Sequence, residues 1–157
     1  MAWSNSKIFM AFFEDVFENT TAMDLNTDTF KAALYDNDIT PDQTVTAANT
    51  AYNAGQWTAA GNEVTDGTNW DTGGEPLTSV TSSFSSNVYT FDAANTPQSG
   101  ATCTLASVFG CLVYDDTIAT PVVDQGLSFH YFGGSNGVTG GTFTIVWHAS
   151  GIATVTA

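Results

Sequence analysis

Residues 29–35 read Thr29-Phe30-Lys31-Ala32-Ala33-Leu34-Tyr35 and run into the acidic turn Asp36-Asn37-Asp38. Phe30, Ala32 and Leu34 alternate with Lys31, Ala33 and Tyr35, the two-residue period of a half-buried strand. Further along, short apolar or β-branched runs at 77–81, 88–91, 101–106, 109–114, 121–124, 128–132, 142–148 and 152–155 repeat the signal. Turn-forming clusters separate them, among them Asn95-Thr96-Pro97-Gln98-Ser99-Gly100 and Gly133-Gly134-Ser135-Asn136-Gly137, the second read as a hairpin loop. Short strands joined by such turns predict a mainly β fold, an antiparallel sandwich or barrel.

Upstream the period is helical. Ile8, Phe9, Phe12, Phe13, Val16 and Phe17 form a wide apolar face over residues 4–19, with Ser4, Asn5 or Ser6 as the cap. Glu14, Asp15 and Glu18 sit where carboxylates oppose the helix dipole, so packing must hold this amphipathic helix. Its aromatic face is expected to cover a sheet or dock on another subunit. The apolar run 8–13 is short and is followed at once by Glu14 and Asp15, unlike a signal peptide. Residues 42–54, between Pro41 and Gly55, predict a short helix, and 61–76 a structured loop around Trp70. A helix followed by strands argues against a βαβ architecture. The expected organisation is one domain over 1–157, with a β-rich body over 27–157.

Charge narrows the range of partners. The 157 residues hold 16 Asp and Glu against 2 cations, Lys7 and Lys31, for a formal charge of −14. Nucleic-acid affinity rests on cations neutralising phosphates, so neither nucleic acid nor an anionic membrane surface is an expected partner. No stretch approaches the ~20 apolar residues of a membrane span. Charged residues are only 11% of the chain, and the hydroxyl- and amide-rich remainder suits subunit packing.

Cys103 and Cys111 read as reduced, buried thiols: on one extended strand they lie too far apart to pair, whereas a hairpin turning near Ser107 would bring them together. Asp36, Asp38 and Asp42 lack the loop glycine of a calcium site and read as a solvated turn. Glu63 and Glu75 near Trp57 and Trp70 are a poor glycosidase pair, because sixteen acids always supply some pair. His130 and His148 lie in aromatic strand patterns without a nucleophile elbow, which makes them core or interface histidines. The glycines at 133–137 have no following Lys or helix to cradle phosphate. No catalytic residue, cofactor or metal is expected. Interface contacts are expected at Trp3, Phe12, Trp57 and Trp70, with Trp57 and Trp70 equally readable as core residues that pin their loops. Trp147 shares a strand face with Ile145 and Phe143, which places it in the core.

Several strings in order carry a family resemblance. They are Leu25-Asn26-Thr27-Asp28-Thr29-Phe30-Lys31-Ala32-Ala33-Leu34-Tyr35, then Thr68-Asn69-Trp70-Asp71-Thr72-Gly73-Gly74, Leu112-Val113-Tyr114-Asp115-Asp116-Thr117, and Gly141-Thr142-Phe143-Thr144-Ile145-Val146-Trp147. Together they resemble a family of small virion structural proteins of tailed bacteriophages, of the minor capsid or head-decoration type. The likeness spans 4–155 and departs at Asn69-Trp70, where the family pattern has Gly-Tyr. It implies a virion role and assigns no catalytic residue.

The expected function is therefore a non-enzymatic capsid decoration protein on the outside of the head. Its partners would be the major capsid protein or other virion subunits, as a homo-oligomer for which lattice geometry suggests a trimer. The alternatives are a neck or tail component of the virion, and a carbohydrate-binding β-sandwich using Trp57 with Trp70. From the charge alone, purified protein should pass through a DNA column at low salt, where electrostatic binding is strongest. Retention that salt reverses would contradict an exterior placement.

Overall fold

The computed structural model describes residues 3–20 and 23–157, and it is mainly β. Among the described residues ten strands and three short helices follow one another: β1 (Lys7–Ile8), α1 (Met10–Glu18), β2 (Phe30–Tyr35), α2 (Ala47–Thr50), α3 (Ala59–Asn62, kinked at Ala60 and Gly61), β3 (Glu75–Pro76), β4 (Thr81–Ser85), β5 (Val88–Asp92), β6 (Thr96–Pro97), β7 (Cys103–Asp115), β8 (Gly126–Gly141), β9 (Thr144–Ile145) and β10 (Ala153–Thr156). They form a five-stranded antiparallel sheet in the order β1-β8-β7-β2-β3, a three-stranded sheet β10-β5-β4 and a two-stranded ribbon β6-β9.

The five-stranded sheet is covered on both sides. On one face Phe30, Ala32 and Leu34 of β2 join Cys111 and Val113 of β7 in a core closed by Phe91, Trp70, Phe12 and Ile145. On the other, Ala33 and Tyr35 of β2 join Leu112 and Tyr114 of β7 against Trp3, Phe9, Ile39 and Trp57. The same strands feed both cores, so the two are halves of one body. The half-buried strand expected at 29–35 is thus corrected: five of its six residues are buried. Its second cover is irregular chain between residues 36 and 63, which has no period to read.

Register explains one apparent anomaly. Leu112 pairs with Phe129 and Val113 with Ser128, but Tyr114 pairs with Gly126. The slip between Val113 and Tyr114 places Leu127 in the core opposite the one that holds Phe129. A second irregularity surrounds Ser107, whose φ is +59°. The two strands expected at 101–106 and 109–114 are therefore one strand, bulged rather than turned. Cys103 and Cys111 lie on it as free, buried thiols.

Other expectations are corrected by pairing that was not visible locally. The helix begins at Met10, not at residue 4, because Lys7 and Ile8 pair with Phe129 and Ser128 as an edge strand. Phe9 then stands at the N-cap with no capping side chain; its N–H donates to the Leu127 carbonyl and the Met10 N–H to that of Gln43, 3.0 and 2.8 Å away. Left-handed Asn19 closes the helix through Asp15. The 42–54 helix shrinks to one turn at α2, and no strand forms at 121–124. The expected hairpin loop at 133–137 is strand, continuous within β8. The 142–148 run contributes only two strand residues. Residues 21 and 22, within the linker after the helix, lie outside the described residues.

Gly110 shows how tightly the second core is built. A Cβ there would stand 2.3 Å from the His130 carbonyl oxygen and 2.5 Å from the Trp3 ring. Trp3 in turn meets the Trp57 ring edge-on at 5.9 Å, and Trp57 meets Phe9 and Tyr35 at 6.0 and 5.1 Å. Because Trp57 carries this cover from a loop, Trp57→Ala should cost about 3–5 kcal/mol of stability, read as a fall in the urea midpoint at constant m-value.

Candidate interaction surface

The three-stranded sheet presents to the core the face that holds Phe91. Phe91 pairs across the sheet with Ser82 and Ala153, and two residues along, Tyr89 pairs with Phe84 and Val155. Side chains two apart on a strand share a face, so all six point the same way. Phe91 is buried, with its ring 5.0 Å from Phe30. The next row runs past the edge of the core: Val155 is 39% exposed, Tyr89 36% and Phe84 83%.

Helix α1 faces this overhang. Phe12 reaches the core, while Phe13 and Val16 lie farther out and Phe17, stacked on Phe13 at 6.4 Å, is 84% exposed. Between helix and sheet lies an open groove of about 560 Å³, lined also by Met23, Asp24 and Leu25. Exposed apolar side chains gathered in one concave site, with Asp24 the only ionic residue among the described residues of its lining, make this groove the candidate interaction surface.

Of the four residues expected at an interface three lie elsewhere: Trp3 is a correction, and Trp57 and Trp70 follow their other reading, as core residues that pin their loops. Trp3, Trp57 and Trp70 have no exposed surface. Trp3 donates from Nε1 to the Asp36 carbonyl at 2.6 Å, and Trp70 sits edge-on to Phe143 at 5.5 Å. Indoles enclosed this way cannot touch a partner without unfolding their loops, and Trp57 with Trp70 form no exposed platform for a sugar. Phe12 alone reaches the groove, as its floor. Phe17 was legible as part of the helix face; Phe84, Tyr89 and Val155 were not, because only cross-strand register aligns them.

The polar groups singled out from the sequence are occupied by the fold. Asp36 Oδ1 accepts the Asp38 N–H and Asp42 Oδ1 the Thr44 N–H, each closing its own turn. Glu63 accepts the Tyr52 hydroxyl at 2.9 Å and the Gly73 N–H at 2.7 Å; burial raises its pKa against those two bonds. Glu75 is buried and accepts the Asp71 N–H. Ser128 Oγ lies 2.9 Å from His130 Nε2, but Ser128 is buried, and desolvation pushes the imidazole down to about 4. His148 is exposed and accepts the Ser150 N–H at Nδ1. Trp147 is partly buried, held by a bond from Nε1 to Thr96. Among the described residues no three His, Cys, Asp or Glu side chains are grouped to hold a metal.

One acid pair borders the groove's loop. Asp115 is fully buried; its Oδ1 accepts the N–H groups of Thr117 and Ile118, while its Oδ2 meets no donor among the described groups. Desolvation, with a hydrogen-bonded contact to the Asp28 carboxyl, raises the Asp115 pKa to about 7. A proton shared between the two carboxyls is the expectation that follows, and Asp28 in turn accepts the Asp24 N–H at 2.6 Å from the segment that lines the groove. The only ion pair among the described residues, Lys31 with Asp116 at 2.9 Å, lies beside it.

No family model, curated protein or solved structure matches this chain.

An acid whose pKa is higher folded than unfolded binds protons more tightly in the folded state between the two values. Stability from Asp115 is thus present near pH 4 and is lost as pH rises through about 7. Asp115→Asn keeps the Oδ1 acceptor and supplies a permanent donor toward Asp28. The variant should match the parent at pH 5 and exceed it by roughly 2 kcal/mol at pH 8 in urea unfolding. Equal stability differences at both pH values would refute the shared proton.

Proposed function

We propose that this chain is a structural protein of a tailed-bacteriophage particle, working by docking rather than by catalysis, and that its place is the outer surface of the head. The observation that carries the docking role is the overhang of the three-stranded sheet. Phe84, Tyr89 and Val155 continue a core-facing row into solvent opposite Phe17, a pattern suited to a surface that is covered in the working state. Charge supports the exterior placement. A domain of formal charge −14 opposes close approach to packaged DNA and meets no such penalty outside the shell. The phage context rests on the resemblance of the ordered strings to small virion proteins. A folded domain that binds only the assembled lattice stabilises it by mass action, with no reaction required.

A neck or tail position is the second reading. It draws on the length of β7 and β8, 13 and 16 residues, and on the mostly exposed end of β8 beyond residue 133. Long strands of this kind suit ring assemblies in which neighbouring subunits extend one another's sheets.

Cryo-EM of intact particles, with mass spectrometry of their proteins, tests location directly. The expected result is this chain in stoichiometric amount as density on the outer head surface. Density confined to the neck or tail would replace the decoration role with the second reading, and absence from mature particles would end both.

A further inference from the structure

We infer that the groove between α1 and the three-stranded sheet receives a short apolar segment flanked by Lys or Arg, supplied by a different protein. This rests on the docking role proposed above and names the partner's chemistry.

The apolar half of the inference follows from an unfinished layer. Phe91 is 1% exposed because Phe30 covers it, yet among the described residues the row that begins at Tyr89, on the same face, has no layer over it. Across the groove, Phe13 and Val16 turn toward the same space. A cavity of about 560 Å³ falls in the range of sites that enclose a few anchoring side chains. What completes such a layer is apolar.

The basic half follows from charge. Asp24 is the only ionic residue among the described residues of the lining. Hydrogen bonds from Asn26 and Thr27 hold its carboxyl below the usual range, so it stays ionised. The chain's two cations serve elsewhere: Lys7 lies on β1 and Lys31 pairs with Asp116. A second copy would bring another formal charge of −14 toward a groove that offers no cation in return. Electrostatic complementarity therefore selects a cationic partner over self-association.

The test uses the full chain and three fluorescein-labelled peptides of a dozen residues, with fluorescence anisotropy at physiological salt. One intersperses Leu with Lys, one Leu with Glu in the same order, and one Gln with Lys. The Leu/Lys peptide should saturate, and each control should bind at least about tenfold more weakly. Non-specific attraction to an acidic protein is separated by Phe17→Asp and Val155→Asp. Both add negative charge at exposed positions, so general attraction would tighten binding, whereas groove binding should weaken about tenfold. Circular dichroism checks each variant, and Phe17→Ser replaces any that fails to fold.

Equal affinity for the Leu/Glu peptide, or unchanged or tighter binding by Phe17→Asp, overturns the inference. So does a micromolar homodimer in sedimentation that Val155→Asp dissolves, which would assign the groove to a second copy. Failure here with the chain present in particles sinks the groove alone; peptide binding by a chain absent from particles sinks the location alone.

Discussion

The pairing of Phe30–Tyr35 with Gly110–Asp115 is enclosed from both sides, and the rest of the molecule is arranged by what it lays on those two faces. Nine of the twelve residues in these two central strands supply side chains alternately to either core. Neither core could be dismantled without exposing the opposite side of the same backbone ladder. Because one cover is a sheet and the other a loop anchored by indoles, the two faces tolerate change differently. Strand pairs can shift cooperatively, whereas Trp57 must be met by Phe9, Tyr35 and Trp3 in one arrangement.

The incomplete cover on the first face connects architecture to the proposed role. Helix α1 has acids near its end, no basic residue in its last turn and no side-chain cap at its start. Its stability comes from Phe12 and from backbone bonds to Leu127 and Gln43, which fix the helix while leaving Phe17 outside. Buried Ala11 and the bond from Gln125 Nε2 to Asp15 Oδ2 add to this hold, so the helix is placed by one set of side chains and offers another. Asp28 and Asp115 then tie the neighbouring loop, so the groove's floor and one wall are held by separate interactions.

How far the sequence could be read depended on whether the deciding interaction was local. The alternation at Phe30–Tyr35, the run at 88–91 and the aromatic helical spacing of Phe12, Phe13, Val16 and Phe17 were legible, and with them the mainly β class. The helix start was not, since nothing near Lys7 announces that β8 will pair with it. The glycines at 133–137 read as a turn because their flexibility suits one; they lie within β8 instead, where Gly133, with φ +80°, takes up the irregularity between the pairs Gly110–Tyr131 and Val108–Asn136. The interaction surface was the least legible feature. Tryptophans draw attention as anchors, but here their size made them the best fillers of loop-covered space. The residues left outside, Tyr89, Phe84 and Val155, acquire meaning only from a register that joins three strands.

Cys103 and Cys111 share strand β7, one with its Sγ 2.9 Å from Gln98 Oε1, the other wholly enclosed with burial pushing its thiol far up. Neither is presented as a thiolate to oxygen or to a second sulfur. No crosslink contributes to the fold, so its covalent structure is the same under reducing and oxidising conditions. A molecule built in this way keeps its shape whatever the redox potential around it.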